Sequence, residues 1–292
     1  MQGTGSKSSG RLIFELLDET LDLNKTQFYH LSIQVCLDGF LFAILEPGSS
    51  KYIGLKRYSF ESASNPDKQY DEIKDILELD PFLQRPYQGV SCIYSEARST
   101  LLPTALFDRE QLRLYFEFNH VLNELDELHY NCLKQAEAYV VFPIHTEIAN
   151  LCLKRWLNIN FFHQATPFID SIISIDNPGG KLAGINFNEG HFDIIVTDNK
   201  KLIYHNNFRY RSDEDLLYFV LFVFDKMGLD QETTPVLLSG DIDKFSERPS
   251  LLKRYIRKLS FQRAPDNFQY PASFHKIQDH ALLNLLRIYH CA

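Results

Sequence analysis

Three short stretches carry residue types that could do chemistry. Each sets a glycine beside acidic, amide or hydroxyl side chains at the end of an apolar run. They are Asp38–Gly39 after LSIQVCL, Asn188–Glu189–Gly190 after AGINF, and Ser239–Gly240–Asp241 after VLL. A glycine turn lets backbone N–H groups approach a phosphate closely, and a nearby carboxylate can hold Mg²⁺ through oxygen. The chemistry to test is therefore nucleotide binding and phosphoryl transfer, which rests on positioning and on charge neutralisation by metal.

Each stretch also has a plainer reading. Asp-Gly between two β-rich runs is a hairpin signal, because both turn positions favour positive φ. Asn188, Glu189 and Gly190 fit a short hairpin connection; Phe187 facing the turn would block backbone approach, and Glu189 adds negative charge where phosphates would lie. Ser239–Gly240–Asp241 is also an ordinary way for a strand to enter a loop. Of the 38 acidic residues, Asp241 and Asp243 are the pair to test for metal; no ligand set at fixed spacing points to a metal. HExxH, GxSxG, GxxxxGK[ST] and GxGxxG are absent, and the ten histidines are scattered.

A basic stretch stands out in an acidic chain: Arg248, Lys253, Arg254, Arg257, Lys258 and Arg263. Lys253/Arg257 and Arg254/Lys258 are four apart, so on a helix over Pro249–Leu259 they share a cationic face. A solvated face is the simpler reading, with a site for an acidic partner as the alternative. Only Tyr255 and Phe261 interleave, which weakens a case for RNA.

The elements that must position these residues follow from periodicity and punctuation. YHLSIQVCLDGFLFAILE over 29–46 is two strands, and Lys51–Phe60 a third. Asn65–Asp80 has helical spacing between Pro66 and Pro81. Gly89–Tyr94 is a strand, Asp108 caps a helix towards Phe118, and Val121–Leu133 is ambiguous. Ala138–Phe142 is a buried strand, Thr146–Leu157 a helix, Ile159–His163 a strand and Pro167–Ile173 a helix. DNPGG at Asp176–Gly180 is the strongest break. Beyond it, Leu182–Phe187, Phe192–Thr197 and Lys201–Phe208 are strands. A helix starts at Ser212 with Asp215 three positions on and stops at Gly228. Then come the strand Pro235–Ser239, the basic helix, a short strand Ser260–Arg263 and a last helix Ile277–Tyr289. Each half thus has the order βββαβαβα, a mixed sheet with helices on both faces.

The 292 residues, 45% hydrophobic, support one large or two medium domains. A net charge of −8 favours a soluble protein and gives no general attraction to nucleic acid or anionic membrane. MQGTGSKSSG lacks the apolar core of a signal peptide and is expected to be a flexible tail. LLYFVLFVF at Leu216–Phe224 is far shorter than the ~20 residues of a membrane span and is expected in a buried helix. Five scattered cysteines without a CxxC pair suit a reducing cytoplasm.

This order resembles the actin-like ATPase fold, two ribonuclease-H-like lobes around a nucleotide cleft. Ala138–Ile173 followed by Gly180–Phe208 is most similar to the actin-like proteins of type IV pilus assembly. FELLDETLDLNKTQFYHLSIQVCLDGFLFAIL with KYIGLKRYSF resembles an uncharacterised bacterial family of this fold, which supplies no activity. The resemblance implies an Asp and then a Gly on the first strand of each lobe if ATP is hydrolysed. The first lobe offers Ser32, Ile33, Gln34, Val35 and Cys36 there, and the second Ile185, Asn186, Phe187 and Asn188. Both turns therefore lack the metal-positioning acid and the glycine.

The expectation is an α/β protein: a tail over 1–11, a first lobe over 12–175 and a second over 176–292. It is expected to be a non-catalytic pseudo-ATPase that binds a protein partner, with no resident cofactor. The alternative is a divergent nucleotide binder or weak ATPase, with Mg-ATP contacting Asp38, Gly39, Asn188, Glu189, Gly190, Ser239, Gly240 and Asp241. A second alternative, by analogy of fold, is an assembly or filament component.

Overall fold

The computed structural model describes residues 10–60 and 66–291. The first sheet holds β1 (Arg11–Leu17), β2 (His30–Cys36), β3 (Gly39–Glu46), β4 (Lys51–Ser59), β5 (Gly89–Tyr94) and β9 (Ile159–His163), in the order β1-β4-β3-β2-β5-β9. The second holds β10 (Lys181–Asn188), β11 (His191–Asp198), β12 (Lys201–Arg209), β13 (Val236–Gly240) and β14 (Leu259–Phe261), in the order β12-β11-β10-β13-β14. Without β1 the two orders are the same: an antiparallel meander whose first strand pairs in parallel with the fourth, and the fourth with the fifth.

The helices are α1 (Pro66–Leu79), α3 (Thr146–Arg155) and α4 (Ala165–Ile173) in the first half, and α5 (Asp213–Met227), α6 (Glu247–Lys253) and α7 (Leu283–Arg287) in the second. Between β5 and α3 lies an insert: β6 (Thr100–Pro103), α2 (Leu112–Glu117), β7 (Asp126–Leu133) and β8 (Ala138–His145), a separate sheet in the order β6-β8-β7. The Ala138–Phe142 strand thus belongs to this insert, and the ambiguous Val121–Leu133 region contributes β7.

Four layers of apolar packing tie the elements together. α1 and α3 cover one face of the first sheet through Ile73, Ile76, Ile148 and Cys152. α5 and α6 cover one face of the second through Leu216, Val220, Val223 and Leu252. The remaining faces are covered by exchange between the halves. α4, from the first half, packs on the second sheet with Phe168 and Ile172 near Leu182 and Ile195. A Cβ on Gly184 would lie 2.8 Å from Ile172, so glycine there lets α4 sit close. In return Leu282, Leu285 and Leu286 of the C-terminal segment pack on Leu41, Ala43 and Leu55 of the first sheet. The Tyr52 hydroxyl donates to the Leu286 carbonyl at 2.7 Å.

Several sequence expectations are corrected. Arg11 is not tail but the first residue of β1, an edge strand that is largely exposed and carries no alternating signal; residues 1–9 lie outside the described residues. Asp108 caps a 3-10 turn before the short α2. The basic helix ends at Lys253, so Arg254, Arg257 and Lys258 lie beyond it and the two four-apart pairs share no helix face. The strand after it is Leu259–Phe261. The expected Ile277–Tyr289 helix is broken into 3-10 turns around five α-helical residues. Leu216–Phe224 lies in α5 as expected, half-buried overall. No helix among the described residues is long and apolar enough to cross a membrane.

Candidate functional site: the cleft between the lobes

The β2–β3 hairpin, the β10–β11 hairpin and the end of β13 meet in a cleft lined by Asp38, Asn188, Glu189, Gly240 and Asp241. Five of the eight residues singled out in the sequence are thus brought together. The free volume is about 40 Å³, against roughly 300–1,000 Å³ for pockets that take ligands of nucleotide size.

The glycines there have structural reasons. In the first hairpin Cys36 pairs with Gly39, so the turn residues are Leu37 and Asp38, one position earlier than Asp-Gly suggested. Neither Asp38 nor Gly39 has positive φ. Gly39 is glycine because a Cβ would lie 2.3 Å from the Tyr58 carbonyl oxygen on β4. In the second hairpin Asn188 pairs with His191, and Gly190 takes φ +71°. Gly240, at φ +82°, packs against β10, where a Cβ would lie 2.1 Å from the Phe187 carbonyl oxygen. That carbonyl accepts from the Asp241 N–H at 2.9 Å. Phe187 points into the core, 1% exposed, and so does not face the turn. The Ser239 hydroxyl is spent on Asn186 Oδ1 at 3.1 Å.

The repeated topology sets equivalent positions side by side. Gln34 and Asn186 each stand two residues before the end of the first strand of their meander, and both line the cleft. Both lobes thus present a neutral amide to the cleft. Gln34 donates to the Ser95 hydroxyl at 3.3 Å. Asn186 Oδ1 accepts from Ser239 and from Asn284 at 3.3 Å, while its buried Nδ2 has no partner among the described residues.

The acids come instead from the turns. Carboxylate oxygens of Asp38, Glu189 and Asp241 lie within 4.8 Å of one another and could hold a metal ion. Asp243 takes no part; it accepts from Gln278 and from the Phe245 N–H. A cation from the chain already lies among the three: Arg57, on β4, is 3.2 Å from Asp38 and 3.7 Å from Asp241.

Behind the second hairpin lies a feature the sequence reading missed. Asp193, fully buried on β11, accepts from His205, Asn207, Asn188 and Gln164 at 3.2–3.4 Å. Burial works against its charge, but the hydrogen bond and charge of His205 outweigh it and hold the carboxyl at about 2. Gln164, at the start of α4, also donates to the Glu96 carbonyl and accepts the Glu96 N–H. His163 donates to the same carbonyl at 2.7 Å and is held near 4 by burial. The only sequence signal was one acid inside the apolar run FDIIV.

Outside the cleft, a groove of about 530 Å³ runs between the insert and the second hairpin. It shares Leu37, Ser95, Glu189 and His191 with the cleft. Arg98, at its wall, is bound to Glu96 and Asp126. On the basic stretch, Arg248 pairs with Asp213 at 2.8 Å and Arg257 with Glu232 at 3.5 Å, while Lys253, Arg254 and Lys258 are exposed.

Residues 18–259 match DUF3822, described as a protein family of unknown function. The chain belongs to that family. A Bacteroides thetaiotaomicron VPI-5482 protein, described as having an actin-like ATPase fold and unknown function, is 24% identical; the match covers 83% of this chain and 94% of that one, with a TM-score of 0.77. The PilM–PilN type IV pilus biogenesis complex is similar at TM-score 0.56 and 9% identity, covering 91% and 99% of the two chains. The ethanolamine utilization protein EutJ from Carboxydothermus hydrogenoformans is similar at 0.51 and 9%, covering 95% and 93%. No curated protein matches. The DUF3822 chain thus has the actin-like, ribonuclease-H-like fold, and these identities speak to fold alone.

Proposed function

We propose that the protein is a non-hydrolysing member of the actin-like fold that acts by binding a partner at its cleft or surface. The observation that carries this reading is Arg57. Its guanidinium bridges Asp38 and Asp241 across a cleft of about 40 Å³, where a nucleotide's metal and phosphates would have to enter. Amides at Gln34 and Asn186 support it, because phosphoryl transfer needs metal-positioning charge there. So do Gly39 and Gly240, which serve strand packing rather than phosphate approach. The similarity to PilM in complex with PilN supports binding as a mode of action for this fold. A reducing cytoplasm suits its five free cysteines.

One observation favours a second reading, a divergent nucleotide binder or weak ATPase: the three carboxylates within 4.8 Å could hold Mg²⁺. Calorimetric titration with Mg-ATP, with no binding expected, tests the nucleotide binder, and phosphate release tests the weak ATPase. The proposal expects no release above buffer; release abolished by Asp241→Ala establishes the second reading.

A further inference from the structure

We propose that the mouth of the cleft is a binding site for an organic cation: a primary ammonium or guanidinium group, carried by a basic side chain of a partner or by a free polyamine. This rests on the non-hydrolysing reading and names the chemistry of what binds there.

Charge gives the first reason. Asp38, Glu189 and Asp241 converge within 4.8 Å. Arg57 contacts the first and third, and Glu189 forms no ion pair among the described residues. Arg248, whose charge also reaches Glu189, is itself paired with Asp213, so the three carboxylates still leave the mouth negative, the wrong sign for a nucleotide and the right one for a cation.

His191 gives the second and independent reason. It is 8% exposed and lines both the cleft and the outer groove. Its Nδ1 lies 3.1 Å from the Glu189 carbonyl oxygen, which can only accept, so in the neutral ring Nδ1 carries the proton and Nε2 carries a lone pair. That Nε2 is buried without a partner. A buried acceptor left open calls for a donor. An N–H-rich cation supplies it and meets the carboxylates together, as charge-assisted hydrogen bonds.

Space gives the third. The 530 Å³ groove, which shares Glu189 and His191 with the cleft, gives the ligand its room.

Calorimetric titration of the full chain tests this with four probes: spermidine, N-acetyl-arginine amide, Mg²⁺ alone and Mg-ATP. Glu189→Gln is the test variant. Asp225→Asn, an exposed acid on α5, controls for non-specific attraction. The expected result is binding of at least one organic cation, weakened tenfold or more by Glu189→Gln and unchanged by Asp225→Asn. Binding of spermidine alone assigns a polyamine, and of the arginine derivative alone a partner's side chain. Binding of neither, or equal loss in both variants, overturns the inference and leaves the non-hydrolysing reading standing. Mg²⁺ binding that excludes the organic cations overturns it in favour of a metal site. Mg-ATP binding lost in Glu189→Gln overturns the underlying reading itself.

Discussion

The Arg57 guanidinium, on the first sheet, lies 3.7 Å from the Asp241 carboxylate at the end of a second-sheet strand. The same guanidinium holds Asp38, one residue before the strand that pairs with its own. It is a cross-lobe contact, made at the cleft lined by both hairpins.

Both partners are partly exposed, 28% and 52%, so the contact is a weak clasp. A double-mutant cycle of Arg57→Ala and Asp241→Ala, read by urea unfolding, is expected to give a coupling of about 0.2–1 kcal/mol that shrinks with salt. Zero coupling at low salt would show that the two groups do not meet in solution.

Two glycines with similar backbone angles should respond differently. Gly240 and Gly190 both have positive φ, but a Cβ at Gly240 meets the Phe187 backbone whereas one at Gly190 meets nothing within 4 Å. Gly190→Ala carries the left-handed penalty alone, about 1 kcal/mol. Gly240→Ala adds a backbone clash and should cost about 2 kcal/mol or more. Equal midpoints in urea would contradict the packing described for Gly240.

Acid should destabilise the protein over two successive pH ranges. Buried His163 is held near 4, below the ordinary 6.5. The unfolded chain therefore binds an extra proton there, and at His30, which burial also holds near 4, so stability falls between pH 6.5 and 4 by up to about 1.4 kcal/mol per pH unit for each histidine. Asp193 is held at about 2, below 3.8; its contribution is complete above 3.8 and is lost as pH falls towards 2. Denaturant titrations at pH 7, 5.5 and 4.5 check the first range. A His163→Gln variant with the same slope as wild type would remove His163 as a cause of the fall.

Much of the fold was legible in the sequence because both meanders obey simple rules. Three of their four connections are two-residue turns, the fourth is a short 3-10 turn over 47–50, and DNPGG separates the halves. What was not legible depended on contacts distant in the chain. RLIFELL is an exposed edge strand whose partner, β4, alone defines it. The insert drew Ala138–His145 out of the main sheet, which local pattern cannot show. The basic helix was read too long because i,i+4 charges continue after Lys253 while the backbone turns towards β14.

The site was half legible. Asp38, Glu189 and Asp241 were found as turn residues, but not as neighbours within 4.8 Å. Arg57 lies in a strand with no motif around it. Asp193 could be seen only as an acid in an apolar run, and its four donors come from positions 164, 188, 205 and 207.

Thermal melting of the wild-type chain in millimolar Mg-ATP tests the central claim most directly. A ligand present at 100 times its Kd raises stability by about 2.7 kcal/mol. The account predicts the same melting temperature with and without Mg-ATP. A clear upward shift that disappears in Asp241→Ala would contradict it.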